Sequence, residues 1–187
     1  LTFSMAGTDT DLDYQRLFNV RYCVFSLAMP DALEFCGEKM PMDKIDVRER
    51  LDRELLVNTY WQSNSVLAHK RVRRWFPVIE EVLKSEGAPD DLKYIALIES
   101  NLTNTTSPVG AIGFWQFMRE TAIAHGLEVN DEVDERYNVV LATKAACKYL
   151  REAKEQFGTW SLAAASYDLG PAGLQKQIGR QKVADYY

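Results

Sequence analysis

The sequence is short of the residues that many reactions and partners require. Its 187 residues include three cysteines and two histidines. Cys23, Cys36, Cys147, His69 and His125 show no metal-ligand spacing, so no zinc site is expected. Neither histidine has an identifiable serine or cysteine partner, which leaves a nucleophile triad without support. Positive charge is not in excess: 22 Lys and Arg stand against 27 Asp and Glu, for a net charge of −5 and a pI near 5.2. No basic face for nucleic acid or anionic lipid follows from that balance. Long apolar runs are missing too, since stretches such as CVFSLAM at 23–29 fall well short of the ~20 residues that cross a bilayer. The chain opens at Leu1 without the basic, apolar and small-residue series of a signal peptide. No repeat of fixed period is visible.

What is present is ordinary globular material, 47% hydrophobic and 26% charged, in a chain large enough to bury a core. Residues 1–46 contain Pro30, Gly37 and Pro41 and read as irregular chain or short extended pieces. Within them, Cys23 and Cys36 can form a disulfide in an oxidising compartment, whereas Cys147 sits on a helical pattern as a small buried hydrophobe. From about residue 46 the period is helical. IDVRERLDRELLVNTYWQ is a first helix and 65–75 a second. Pro77 suits the first turn of a third, PVIEEVLKSEG, with Gly87 as its C-terminal cap. Pro89, Asp90 and Asp91 then favour a helix start ahead of IALIESNL. NLTNTTSPVGAIG at 101–113 has loop composition, and the pattern predicts a resumed helix over FWQFMRETAIAHG that stops at Gly126. An acidic loop, EVNDEVDERYN, precedes the clearest helix, about 138–157. There Ala142, Ala145, Ala146, Tyr149, Leu150, Ala153 and Phe157 form one stripe that ends at Gly158. SLAAASYD and PAGLQKQIG supply two further helices around a Leu-Gly-Pro turn. No useful strand alternation interrupts this part, so the fold class is mostly α.

Glu99 is the sharpest candidate for chemistry. From Leu92, the offsets of three, four and seven put Ile95, Ala96 and Glu99 on one helical face, so the carboxylate joins an inward stripe. Two readings stay open. Burial raises a carboxyl pKa and suits a general acid, yet such a glutamate also serves as partner to a buried arginine or backbone amide. In the adjoining loop, Gly110 and Gly113 permit close backbone approach, and Asn101, Thr103 and Ser107 offer groups suited to sugars. Gln116 falls on the polar arc with Arg119 and Glu120 and reads as a solvent-facing residue. Trp115 and Trp160 are suited to stacking on sugar rings, but their helical setting favours the core. His69 aligns with Val72, Phe76 and Leu83 for packing, and His125 with a helix end. Tyr167 and Asp168, before the Gly-Pro turn, read as local capping groups.

Four segments stand in fixed order: ALIES at 96–100, SPVGAIGFWQF at 107–117, DERYNVVLATKAACKYL at 134–150 and AAASYDLGPAGL at 163–174. Together, over about residues 89–179, they resemble the catalytic domain of the lytic transglycosylases, whose fold is like goose-type lysozyme, and especially the branch related to membrane-bound transglycosylase D. The resemblance implies an all-α, lysozyme-like domain at 89–187, with residues 1–88 as a partly irregular, partly helical N-terminal extension packed on it. It implies cleavage of the MurNAc–GlcNAc β-1,4 bond of peptidoglycan with 1,6-anhydro-MurNAc ends, Glu99 serving as the single general acid and base. Ser100, Ser107, Gly113, Gln116, Tyr167 and Asp168 match the family's substrate-binding positions. The same resemblance implies no metal or organic cofactor and peptidoglycan glycan strands as the partner, with no nucleic acid and no integral membrane segment. It further implies a monomer in the periplasm or cell envelope, with outer-membrane association. Two departures qualify the match. Asp168 replaces the family asparagine and is acceptor-only when ionised. Related domains continue beyond the equivalent of Tyr187 into a further helix with another cleft tyrosine, so part of the groove is expected to lie outside these residues. The alternatives are a hydrolytic muramidase that uses Asp168, and a peptidoglycan-binding module with impaired turnover.

Overall fold

The computed structural model describes residues 26–182 and 185–187, together with Asp13, Arg16, Leu17 and Val20. Cys23, and with it the Cys23–Cys36 pairing, lies outside the described residues; Cys36 and Cys147 are free thiols. Among these residues are seven α-helices and one small hairpin: β1 (Glu34–Phe35), β2 (Glu38–Lys39), α1 (Ile45–Tyr60), α2 (Gln62–Ser85), α3 (Lys93–Ser100), α4 (Arg119–Ala124), α5 (Val139–Phe157), α6 (Trp160–Leu169) and α7 (Pro171–Gln181). The class is all-α, as the helical period predicts, and agrees with the lysozyme-like domain that the resemblance implies.

Helix α5 is the centre, packed by α2 on one side and α6 on another. Its stripe of Ala142, Ala145, Ala146, Leu150 and Ala153 is buried, and small side chains there let neighbouring backbones come close. Asn138 caps its start by accepting from the amides of Val140 at 3.0 Å and Leu141 at 3.2 Å, and Gly158 ends it at φ 91°. Helix α2 contributes Phe76, Ile79 and Leu83 to the same core.

Two helix assignments change. The pieces predicted at 65–75 and from Pro77 are one helix, α2, with Pro77 inside it. Pro77 and Arg73 both lie on the exposed face, so the carbonyl that loses its helical donor is on the solvent side, where water substitutes. Helix α2 also leaves His69 exposed rather than packed. The helix predicted to begin at Phe114 begins only at Arg119. Phe114, Trp115 and Phe117 are all buried, but in a segment whose backbone bonds across a turn rather than along a helix. The chain folds back on itself, with paired Ile112–Phe117 hydrogen bonds of 3.1 Å each way and Gln116 at φ 49°.

The fold-back has an external anchor. Arg136 is buried, holds Asp134 through two hydrogen bonds of 2.9 and 2.7 Å, and extends its remaining nitrogen to the carbonyls of Gly110 and Phe117 at 3.3 and 3.2 Å. Gly113 is needed where the loop passes this arginine. Its φ is +83°, and a Cβ there would lie 2.0 Å from the Arg136 carbonyl oxygen.

Candidate active site

Glu99 sits on the last turn of α3, flanked by buried Ile95, Ala96 and Ser100. Its helix stops abruptly. Asn101 and Leu102 both adopt left-handed backbone at φ 50° and 52°, uncommon for residues other than glycine. Compensation comes from Leu102, buried at 1% exposure, and from Asn101, whose amide donates to Asn64 at 2.8 Å. The last turn is therefore held by the fold rather than by local preference.

Glu99 is partly buried and faces a groove of about 530 Å³. Asp168, Ala164 and Ala165 of α6 form the opposite wall. Phe35 and Met40 come from the hairpin region, Tyr94 and Ile98 from α3, and Tyr186 and Tyr187 from the last described residues. Burial raises the Glu99 pKa above its ordinary value, and the charge of Asp168 raises it further. Among the described residues no arginine, lysine or backbone amide bonds to the Glu99 carboxyl. Of the two readings left open by spacing, the ion-paired glutamate thus has no partner here.

Tyr167 stands behind this carboxyl. Its hydroxyl donates to the Trp115 carbonyl at 2.7 Å, and its ring meets Trp115, Phe117 and Tyr149 edge-on at 5.1 to 6.3 Å between centroids. Burial first, and then the nearby Glu99 charge, raise its pKa well above the phenol value, so it remains a neutral donor. Ser100 is buried, with its hydroxyl 2.8 Å from the Phe114 carbonyl and 3.1 Å from that of Ala96. Tyr167 and Ser100 therefore tie the 101–118 loop to α6 and α3.

Ser107, Gly113 and Gln116 are all loop residues. The Ser107 hydroxyl accepts from the Ala111 amide at 3.0 Å and closes a turn. The Gln116 amide nitrogen donates to the carbonyls of Gly113 at 2.7 Å and Thr105 at 3.1 Å. Gln116 is consequently a loop brace, not the solvent-facing helical residue expected. Trp115 is fully buried and donates to Thr143 at 2.9 Å, in keeping with its core reading. His125 bonds the Thr121 carbonyl at 2.7 Å, at its helix end as expected. Asp168, on the exposed side of α6, shares the groove with Glu99.

Two features escaped the sequence reading. Arg136 lies in the DERYN segment two residues after Asp134, and that spacing was its available signal. The hairpin carries a Cys-Gly pair between two short extended pieces, a weak form of the two-residue turn signature. No group of three or more His, Cys, Asp or Glu among the described residues is arranged to hold a metal ion, and no described helix is long and apolar enough to cross a membrane.

The site thus offers one elevated carboxyl in a mostly apolar, aromatic-edged groove, suited to giving a proton to a bound, largely neutral molecule. A search of curated proteins finds no match. The family model described as the transglycosylase SLT domain matches residues 76–187, more than half of the chain and every helix that borders the groove. On that match the chain belongs to the transglycosylase SLT domain family.

Proposed function

We propose that the protein is a peptidoglycan lytic transglycosylase that cleaves the MurNAc–GlcNAc β-1,4 bond, leaves 1,6-anhydro-MurNAc ends and uses Glu99 as its single general acid and base. The Glu99 carboxyl donates its proton to the glycosidic oxygen as the bond from that oxygen to C1 breaks. The C6 hydroxyl of the same muramic acid then attacks C1, and its proton passes to the Glu99 carboxylate. Water is not consumed, and the intramolecular nucleophile has a high effective concentration. Supporting this reading above all is Glu99 itself: partly buried, without a cationic partner among the described residues, its pKa raised, and facing the groove. Tyr167 and Ser100 act by holding the loop against the two carboxyl-bearing helices. Ser107, Gly113 and Gln116 shape the 101–118 loop and do not themselves line the groove that Glu99 faces.

The reading extends to a monomer of the branch related to membrane-bound transglycosylase D, working in the periplasm or cell envelope on glycan strands, with outer-membrane association. Residues 89–187 are its catalytic domain and residues 1–88 its N-terminal extension. The test is digestion of purified sacculi followed by mass analysis of the products. Anhydro ends are expected, and Glu99→Gln should lower kcat by about 10²- to 10⁴-fold, the usual contribution of a positioned acid, while far-UV circular dichroism is unchanged. Full activity in that variant overturns the acid assignment. One observation favours a second reading: Asp168 shares the groove and acts on Glu99 through its charge, as a second glycosidase carboxylate would. Reducing ends in place of anhydro ends would establish that hydrolytic route.

A further inference from the structure

The hairpin at 34–39 lies ahead of the 76–187 stretch that the family model matches, yet Phe35 and Met40 line the groove with Glu99 and Asp168. It is fastened to both walls. On the α3 side, the Asp91 carboxylate accepts the Cys36 amide at 2.7 Å. On the α6 side, the Glu38 carboxylate accepts the Trp160 amide, the Ser161 amide at 2.9 Å and the Ser161 hydroxyl at 2.7 Å. Those amides belong to the first turn of α6, where donors otherwise lack helical partners and the dipole favours negative charge. Burial opposes ionisation of Glu38, but the Ser161 and Trp160 hydrogen bonds and the Lys154 charge outweigh it and leave its pKa below the ordinary value. The turn is tight, with Cys36 at φ 53° and Gly37 at φ 78°. In the register Phe35↔Glu38 the two side chains share one face. Anchoring Glu38 on α6 therefore aims Phe35 at the groove.

We propose that this hairpin is a wall of the substrate site, with Phe35 as a specificity-determining contact for the apolar face of a glycan ring and Glu38 as the positioning residue that holds it between α3 and α6. The inference rests on the groove being the glycan site. Free Cys36 takes no part as a nucleophile, because burial and the charges of Asp91 and Glu38 push its thiol up to about 12.

The experiment uses the full chain carrying Glu99→Gln and titrates soluble N-acetylglucosamine tetramer by calorimetry. Adding Phe35→Ala is expected to weaken binding about tenfold, the scale of one good aromatic contact, with far-UV circular dichroism unchanged, a lowered melting temperature because Phe35 also packs on the core, and recovery of binding in Phe35→Trp. Glu38→Ala should cause a similar loss when Phe35 is present and less than a twofold loss in the Phe35→Ala chain, since the two act as one unit. In the chain that retains Glu99, Phe35→Ala should raise KM on glycan strands while kcat stays within twofold. Equal affinity with and without Phe35, additive losses for the two positions, or a fall in kcat with KM intact each overturn the wall. Failure of the tetramer to bind the parent overturns both the glycan groove and the wall. Cleavage by the Glu99→Gln chain counts against the acid alone, and the Phe35 binding difference still judges the wall.

Discussion

At the scale of single residues, the proposed chemistry depends on keeping one carboxyl protonated in the groove. Burial does most of this for Glu99, and the Asp168 carboxylate adds to it through repulsion. The signs follow directly. Ionising Glu99 adds a second negative charge to the groove, so Asp168 disfavours that ionisation and extends the acid form to higher pH. Replacing Asp168 with asparagine removes the repulsion, so the basic limb of the kcat/KM profile should move to lower pH; a limb that stays put or rises shows that Asp168 does not act on Glu99 in this way. The inward lean of Glu99 was legible in its offset of seven from Leu92. Its lack of a partner was not, because that depends on every cation elsewhere in the chain being engaged or distant. Gln116 illustrates the opposite failure. Its pattern placed it on a helical polar arc, whereas its amide is bound to backbone from residues 105 and 113.

At the scale of elements, α5 follows its period and its caps, and the 101–118 loop does not. Periodicity located α5 closely, because an apolar stripe bounded by Asn138 and Gly158 encodes both its face and its ends. The stretch 101–118 takes its shape from distant groups: the Arg136 guanidinium on two carbonyls, Tyr167 on a third and Ser100 on a fourth. Local propensity carries no information about such bonds. Gly113 is where this dependence is most exposed. Alanine there forces both an unfavourable φ and a collision with the Arg136 carbonyl, and should cost about 3 kcal/mol or more in urea unfolding. A loss below about 1 kcal/mol, the low end of what left-handed backbone alone costs a residue with a Cβ, would mean that the loop has room to retreat.

At the scale of the whole molecule, one core runs through the division suggested by motif resemblance. Phe76, Ile79 and Leu83 of α2 lie in the same cluster as Leu92, Phe114, Trp115 and the α5 stripe, and Ile79 and Leu83 are only 0% and 1% exposed. A fragment of residues 89–187 would leave the apolar surface that meets α2 open to water, at about 25 cal/mol per Å² uncovered. Such a fragment is expected to lose the cooperative urea transition shown by the full chain, as followed by circular dichroism. A sharp transition at the same midpoint would show instead that the core is complete without α2.

Composition, periodicity and ordered motifs by themselves determined that the protein is helical, that a mostly buried stripe carries Glu99, and which family its second half resembles. These are local or near-local properties, expressed through three to seven residues of spacing. Tertiary structure alone decided that Glu99 lacks a partner among the described residues, that Asp168 faces the same groove, that Arg136 shapes the loop and that a hairpin from the first quarter of the chain borders the site. Each of those depends on pairings across 19 to 123 positions, and such pairings form only once burial has brought distant segments together and left each polar group to find its partner in the space available.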